Sequence, residues 1–194
     1  MNSRIAEAEA LLEHFAWEVE HSRQVRDLAV SLFDQFKPLH QFGPDERDFL
    51  DAAALLHDIG WTVSRSKHHK HSYQLIRDSE AKLSRFTPQQ VELIANVARY
   101  HRKALPSVKH EAYASLLPEH QQVVQKLAAL LRLADGLDRP HLQSVKELRC
   151  EATDRHARIS VRSLIEPGLH IEGASRKREL FEVVFGLPVE FSIL

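Results

Sequence analysis

Apolar residues recur at helical spacing along the chain as far as about Arg139, and the spacing changes after Pro140. The clearest early stripe predicts a helix that ends at Pro38 and buries Val25, Leu28, Ala29, Leu32, Phe33 and Phe36. Beyond Pro140, Ile159 and Val161 alternate with polar residues, which indicates a strand. The pattern predicts a mostly α fold, a helical domain over 1–140 with a small C-terminal α/β appendix over 141–194.

Turn and capping residues give approximate boundaries for the other elements. In the helical part, Pro44 opens a helix that reaches His57 and is stopped by Gly60, and the capping pattern of Thr87, Pro88 and Gln90 opens another. Two more helices are expected over 71–78 and 119–134. In the appendix we expect a strand over 169–172, a helix over 175–185 that ends at Gly186, and an alternating strand at 189–193.

Composition excludes several classes of protein. The 26 basic and 27 acidic residues nearly cancel, which argues against a nucleic-acid-binding surface. The single cysteine, Cys150, excludes an internal disulfide and a cysteine-rich zinc site, and it suits a reducing cytoplasm. No apolar run approaches the ~20 residues that a membrane-spanning helix needs. We therefore expect a cytoplasmic protein that binds neither nucleic acid nor membranes.

Polar residues interrupt the buried faces of four predicted helices. His21, His57, His101 and Asp135 each continue an apolar stripe, and Asp58 directly follows His57. Singly, each has an ordinary structural explanation, such as a hydrogen-bonded core histidine, a helix cap at Asp58 or a turn at Asp135. Together they favour a divalent cation, because several buried imidazoles and carboxylates need a shared partner. Histidine and aspartate suit Zn, Mn or Fe, and Mg with more oxygen ligands.

The same positions carry a family resemblance. The segments EVEHSRQV, ALLHDIG and LLRLADGLD resemble the motifs of the HD superfamily of metal-dependent phosphohydrolases. The longer segments from ALLHDIG to SYQLI, LIANVARYHRKALP and RKRELFEVVFGLPVEF resemble the C-terminal HD portion of the exopolyphosphatase/guanosine pentaphosphatase (Ppx/GppA) family. The resemblance implies an HD-type helical bundle whose metal ligands are His21, His57, Asp58 and Asp135.

The resemblance implies that the hydrolysis for which the family is named takes place in N-terminal actin-like domains. A chain of 194 residues is expected to have no room for those domains. The intact positions His57, Asp58 and Asp135 favour a metal site that acts on its own.

The resemblance to two-metal HD phosphodiesterases also implies a second cation. His68 and His101 stand where those proteins place the additional ligands, and His69 and His71 compete with His68 for the first of these roles. The alternative for the run HHKH is a solvated basic loop.

Basic residues adjoin the expected ligands and suggest phosphate as the substrate chemistry. They are Arg65, Lys67, Lys70, Arg99, Arg102 and Lys103. A helix that ends near His101 would free Lys103 to reach a phosphate and leave Arg99 on the outer face. We expect Lys103, Arg102 and His71 to contact the substrate. The alternative interpretation of each of these residues is that it is an ordinary charged residue of the surface.

These features predict a metal-dependent phosphohydrolase that acts on a nucleotide or another small phosphorylated compound, with Asp58 and His101 in catalytic roles. A second hypothesis is a regulatory module that binds a guanosine tetraphosphate-like nucleotide or polyphosphate without hydrolysing it. A third is a structural dimerisation domain, since the Leu- and Phe-rich appendix is compatible with a homodimer.

Overall fold

The computed structural model describes residues 3–194. Ten helices are present in this part of the chain: α1 Ser3–Phe15, α2 Val19–Gln35, α3 Lys37–His40, α4 Pro44–Leu56, α5 His68–Asp78, α6 Pro88–Arg99, α7 Glu111–Ala114, α8 Pro118–Leu137, α9 Gly168–Ser175 and α10 Glu179–Phe185. Three strands complete the described chain: β1 Val145–Ala152, β2 Ala157–Ser163 and β3 Val189–Ile193. The expected mostly α fold with a small C-terminal α/β appendix is confirmed.

Helix α4 forms the centre of the helical body. Pro44 occupies its first turn, and every residue from Phe49 to Leu56 is buried. Helices α1, α2, α6 and α8 surround it. Because the whole of this segment is buried, including the carboxylate of Asp51, the surrounding helices hold the C-terminal end of α4 in the interior of the bundle.

The start of α6 follows the predicted capping pattern. The Thr87 side chain accepts a hydrogen bond from the backbone N–H of Gln90, and the Gln90 side chain accepts one from the backbone N–H of Thr87. The helix ends at Arg99, so His101 lies in the turn that follows, as the sequence predicted. This short helix therefore delivers His101 to the interior without continuing past it.

Two expectations for the segment after α4 differ from the structure. Helix α5 begins at His68, three residues before the predicted start at His71. Helix α4 ends at Leu56, and Gly60 lies in a short 3₁₀ turn, Ile59–Thr62, instead of stopping the helix. A Cβ atom on Gly60 would lie 2.1 Å from the carbonyl oxygen of His68. Gly60 is thus required for the close approach of α5, which brings His68 to the end of α4.

The appendix contains a three-stranded sheet in the order β1-β2-β3. β1 pairs with β2 antiparallel, and β2 pairs with β3 parallel. The predicted strand over 169–172 is wrong, because this segment belongs to helix α9. Four residues are too few to distinguish the two periods. Strand β1 was not predicted.

The appendix is attached to the helical body at two places. Gln24 and Gln35 of α2 donate side-chain hydrogen bonds to the carbonyl oxygens of Val145 and Leu148 on β1. Helix α9 lies directly against α8, where a Cβ atom on Gly173 would be 2.2 Å from the carbonyl oxygen of Gly136.

One continuous apolar core includes residues of both parts. The division of the chain at residue 140 stays a prediction. Within residues 3–194, no helix combines the length and the apolar composition needed to cross a bilayer.

Candidate metal centre

Six side chains that commonly bind metals form two adjacent clusters. In the first cluster, His21, His57 and Asp135 each place a ligand-type atom within 4.8 Å of the other two. In the second cluster, Asp58, His68 and His101 do the same. The predicted set of His21, His57, Asp58 and Asp135 is therefore divided, with Asp58 grouped with the two additional histidines.

The ends of several helices position these side chains. His21 lies in the first turn of α2, and Asp135 in the last turn of α8. His57 directly follows α4, His68 begins α5 and His101 follows α6. The bundle thus brings together residues that are far apart in the sequence.

The first cluster's histidines are held by hydrogen bonds from their outer ring nitrogens. Nδ1 of His57 lies 2.7 Å from the carbonyl oxygen of Ala54, and Nδ1 of His21 lies 2.8 Å from Oδ2 of Asp138. Because both partners are acceptors, each Nδ1 must carry the proton. In the neutral ring the lone pair is then on Nε2, the atom that faces the cluster.

In the second cluster His101 has the same arrangement, with Nδ1 2.7 Å from the carbonyl oxygen of Ala98. Nδ1 of His68 differs, since it lies 3.3 Å from the carbonyl oxygen of Arg65 and 3.2 Å from the guanidinium of Arg102, which can only donate. Outer hydrogen bonds of this kind are typical of metal-binding histidines, where they fix the ring orientation and raise the basicity of the inner nitrogen.

Three inner atoms lack hydrogen-bond partners among the described residues: Nε2 of His21, Nε2 of His57 and Oδ1 of Asp58. His21, His57 and Asp58 are at most 5% exposed. Buried acceptors without partners are destabilising, and a divalent cation would satisfy several at once. The chemistry and orientation of these residues therefore fit a metal.

Most of the pKa shifts favour the protonation states that metal ligands require, and His21 is the exception. Burial alone would lower the pKa of His21, but the hydrogen bond to Asp138 and the charges of Asp135 and Asp58 raise it. Burial lowers the pKa values of His57 and His101, which favours neutral imidazoles. Burial alone would raise the pKa of Asp58, but the neighbouring His57, His68 and His101 hold that pKa well below its usual range. Asp135 follows the same pattern, with Lys177 as the largest opposing influence on its pKa.

The two oxygens of Asp58 face different clusters. Oδ2 lies 3.7 Å from Nε2 of His57, and Oδ1 lies 3.2 Å from Nε2 of His68 and 3.4 Å from Nε2 of His101. In the first cluster, Nε2 of His21 lies 3.8 Å from Oδ1 of Asp135. Asp58 therefore has the geometry of a carboxylate shared between two cation positions.

A cavity of about 770 Å³ opens above the clusters, and we call it the cationic cavity. Its walls carry seven basic side chains: Arg65, Arg102, Lys103, Arg132, Arg139, Arg176 and Lys177. Asp58, His68, His101 and Asp135 also line it. Residues of the helical body and of the appendix thus form one positively charged opening over the ligand-type residues.

Several of the basic residues and histidines considered for the site lie outside the cationic cavity. Arg99 is outside it, as expected, with its guanidinium 5.3 Å from the ring centre of Tyr73 and 5.6 Å from that of Tyr100. His71 is half-buried on α5 and does not line the cavity, although it was expected to contact substrate. His69 belongs to neither cluster. Lys67 and Lys70 are also absent from the cavity wall.

The structure adds three residues that the sequence analysis did not single out. Asp138 is fully buried and binds Nδ1 of His21. Lys177 comes from the appendix, and its ammonium contacts Oδ2 of Asp135. The Trp61 ring stacks on His68 at 4.6 Å between ring centres. Asp138 and Lys177 stand in segments that carried the family resemblance, LLRLADGLD and RKRELFEVVFGLPVEF, but no periodicity marks them.

Comparison with known proteins identifies a family and two relatives at the level of sequence. Residues 4–170 match the model of the family described as Ppx/GppA phosphatase, domain III. A guanosine-5′-triphosphate,3′-diphosphate pyrophosphatase of Aeromonas hydrophila subsp. hydrophila is 30% identical over 137 residues, which cover 69% of this chain and 26% of that protein. A protein with the same name from Aeromonas salmonicida is 30% identical over 95 residues, covering 48% of this chain and 19% of that protein.

The chain therefore spans about a quarter of the length of the first of these relatives and a fifth of the second. The family match covers the first cluster, the second cluster and most of the cationic cavity. On this match the chain belongs to the Ppx/GppA phosphatase family, as a form of its domain III.

Proposed function

We propose that this chain is an HD-type, metal-dependent phosphohydrolase that acts on a nucleotide or another small phosphorylated compound. The observation that carries the proposal is the pair of clusters that meet at Asp58 beneath the cationic cavity. Two cations about 3.5–4 Å apart are a common arrangement in phosphatases and nucleases. The names of the Aeromonas relatives, which refer to cleavage of a phosphorylated nucleotide, agree with this substrate chemistry.

The first cluster would hold one cation through His21, His57 and Asp135, and the second would hold another through His68 and His101. Asp58 would contribute one oxygen to each. Mn, Fe, Zn or Mg ions supply Lewis-acid activation of a phosphate and acidify water at neutral pH. Neutral imidazoles with ionised carboxylates suit the transition metals among these best.

The basic side chains of the cationic cavity would bind the substrate phosphate. Lys103 is exposed at the cavity wall and adopts a left-handed backbone conformation, with φ of 59°. Arg132 holds this turn, since its guanidinium donates hydrogen bonds to the carbonyl oxygens of Tyr100 at 3.1 Å and Lys103 at 3.4 Å. Arg102 lies 3.1 Å from Nε2 of His68, at the edge of the second cluster. A phosphate bound by Lys103 and Arg102 would lie in the cavity that Asp58 and His101 also line.

His101 has two possible roles in this proposal. With two cations, its Nε2 atom would be a ligand. With a single cation in the first cluster, the same nitrogen would be free to hold or transfer a proton at the leaving oxygen. Metal stoichiometry distinguishes these roles.

The test is hydrolysis of a panel of phosphomonoesters, phosphodiesters and nucleotides with Mn²⁺, Fe²⁺, Zn²⁺ or Mg²⁺. Asp58→Asn should lower kcat/KM by at least about a hundredfold, because it removes the charge shared by both clusters. Asp51→Asn is a matched control, since Asp51 is also a buried carboxylate in this bundle but lies outside both clusters. Hydrolysis that is equal in the two variants would contradict the proposal.

A second candidate is a binding module that senses a phosphorylated ligand. It is favoured by the fact that most of each named relative lies outside the region matched by this chain. The contact of Lys177 with Asp135 also neutralises that carboxylate without a metal. Phosphate-dependent ligand binding, with no turnover under any metal, would identify this candidate.

A further inference from the structure

A smaller pocket of about 260 Å³ adjoins the cationic cavity, and we call it the side pocket. Arg139 and Arg176 line both and form their common wall. The remaining wall of the side pocket consists of Pro140, Leu169, Glu172 and Gly173. It thus differs from the cationic cavity by presenting apolar surface immediately beside two guanidinium groups.

The packing of α9 on α8 creates this surface. Gly173 lies against Gly136, so the two helices approach closely and Gly173 contributes no side chain to the pocket. Leu169, in the first turn of α9, is 58% exposed at the pocket wall. An exposed apolar surface beside a charged site is typical of ligand pockets, in which a few polar groups fix the orientation of an apolar group.

The aromatic residue of the cationic cavity, Trp61, already makes ring contacts within the protein. The Trp61 ring is stacked on Trp17 at 5.6 Å and on His68 at 4.6 Å between ring centres, so both contacts are made within the protein. The guanidinium of Arg65 also lies 5.8 Å from the centre of the Trp61 ring. Leu169 is 58% exposed beside Pro140, so an organic group attached to a bound phosphate could be covered by apolar surface there.

The two guanidinium groups of the shared wall are suited to hold a phosphate at this junction. Arg176 forms an exposed ion pair with Glu172, four residues earlier, which also lines the side pocket. Arg139 has no carboxylate partner among the described residues, and its charge is available to a ligand. Arginine binds phosphate oxygens through paired N–H groups, which fixes the direction in which the rest of the ligand leaves the phosphate.

We propose that the side pocket binds the organic group of the substrate, while Arg139 and Arg176 contact, from the shared wall, the same phosphate that Lys103 and Arg102 bind in the cationic cavity. This inference rests on the proposed function and narrows its substrate class. The preferred ligand is an organic phosphate with a ring or short apolar group next to the phosphate, and an inorganic oligophosphate is a poorer ligand because it leaves Leu169 and Pro140 uncovered.

The test compares two non-hydrolysable probes, phenylphosphonate and methylphosphonate, by calorimetric titration of the full chain in buffer containing Mn²⁺. They carry the same acid group and differ in the organic group. The wild type should bind phenylphosphonate about tenfold more tightly, because the ring buries apolar surface in the side pocket. Leu169→Ser should remove most of this preference and leave methylphosphonate affinity unchanged. The matched control is Leu164→Ser, since Leu164 is 75% exposed and does not line the pocket.

The side-pocket assignment would be overturned if the wild type bound the two probes with equal affinity, or if Leu169→Ser and Leu164→Ser showed an equal preference for phenylphosphonate. In either case, phosphonate binding itself would still support the proposed function. Failure of the wild type to bind either probe would overturn both. An arginine variant separates the two parts of the site, since Arg139→Gln should weaken both probes by a similar factor.

Discussion

Nδ1 of His21 lies 2.8 Å from Oδ2 of the fully buried Asp138, and Nε2 of the same ring faces Asp135. The other oxygen of Asp138 accepts a hydrogen bond of 2.9 Å from the backbone N–H of Gln143. Asp138 is therefore a positioning residue that fixes the tautomer and orientation of a proposed ligand.

Asp138→Asn should weaken metal binding in the first cluster by about 10–100-fold, because the neutral amide orients His21 less strongly and no longer raises the basicity of its inner nitrogen. Titration of the metal-free protein with Mn²⁺ or Zn²⁺ measures this affinity. Asp51→Asn serves again as the buried control. If the two variants bind metal as tightly as the wild type, Asp138 has no role in the cluster.

Asp58→Ala should abolish most metal-dependent stabilisation, because Asp58 contacts both clusters. In the wild type, a cation at a hundredfold excess over its Kd should add about 2.7 kcal/mol to the free energy of unfolding. Increasing Mn²⁺ concentration should therefore raise the Tm of the wild type and of His71→Ala, measured by thermal unfolding, but not the Tm of Asp58→Ala. A wild-type Tm that does not change between chelator and saturating metal would show that these residues do not bind the metal.

Lys103→Ala should lower kcat/KM for a phosphorylated substrate by about tenfold, with unchanged metal content, because the ammonium lies at the cavity wall and stabilises developing phosphate charge. Arg99→Ala is the matched control, since Arg99 is four residues earlier and stacks near Tyr73 and Tyr100. Its kcat/KM should change by less than about twofold. Equal losses in both variants would indicate a general effect of surface charge.

Asp51 lies outside both clusters, and its burial predicts how the stability of the protein depends on pH. Burial raises its pKa to about 6, partly opposed by Arg26, whose Nε lies 3.8 Å from Oδ1. In the unfolded chain its pKa is about 3.9. Between these values the folded state binds more protons, so this group's contribution to stability falls as pH rises from about 4 to 6.

Asp51→Asn removes this loss of stability with rising pH. Its stability advantage over the wild type should grow between pH 4.5 and pH 7.5, to at most about 2 kcal/mol. Urea unfolding at the two pH values measures the difference. An advantage that shrinks with rising pH would show that Arg26 and Asp51 form a net stabilising pair.

Much of the site was predictable because its residues interrupt periodic apolar faces. His21, His57 and Asp135 each occur where a helix should present an apolar side chain, and the structure brings these three together. The capping pattern at Thr87 also located the start of α6, and from it the turn that contains His101. These are local signals that depend on spacing within one helix.

The contribution of the appendix could not be predicted in the same way. Lys177 reaches Asp135 only because Gly136 and Gly173 allow α8 and α9 to touch, and a contact between distant glycines has no periodic signal. The segment 169–172 was predicted as a strand because four residues are too few to distinguish the helical period from the strand period. Asp138 resembles an ordinary helix-end residue until the ring of His21 is placed beside it.

The two clusters are proposed to bind two cations and to share Asp58. The most direct test of this proposal is metal content per chain, measured by inductively coupled plasma mass spectrometry after reconstitution of the protein with Mn²⁺ and removal of free metal. The wild type and His71→Ala should retain about two equivalents, and His68→Ala about one, because His68 belongs to the second cluster and His71 to neither. A wild-type protein that retains no metal, or a His68→Ala variant that retains as much as the wild type, would contradict the account.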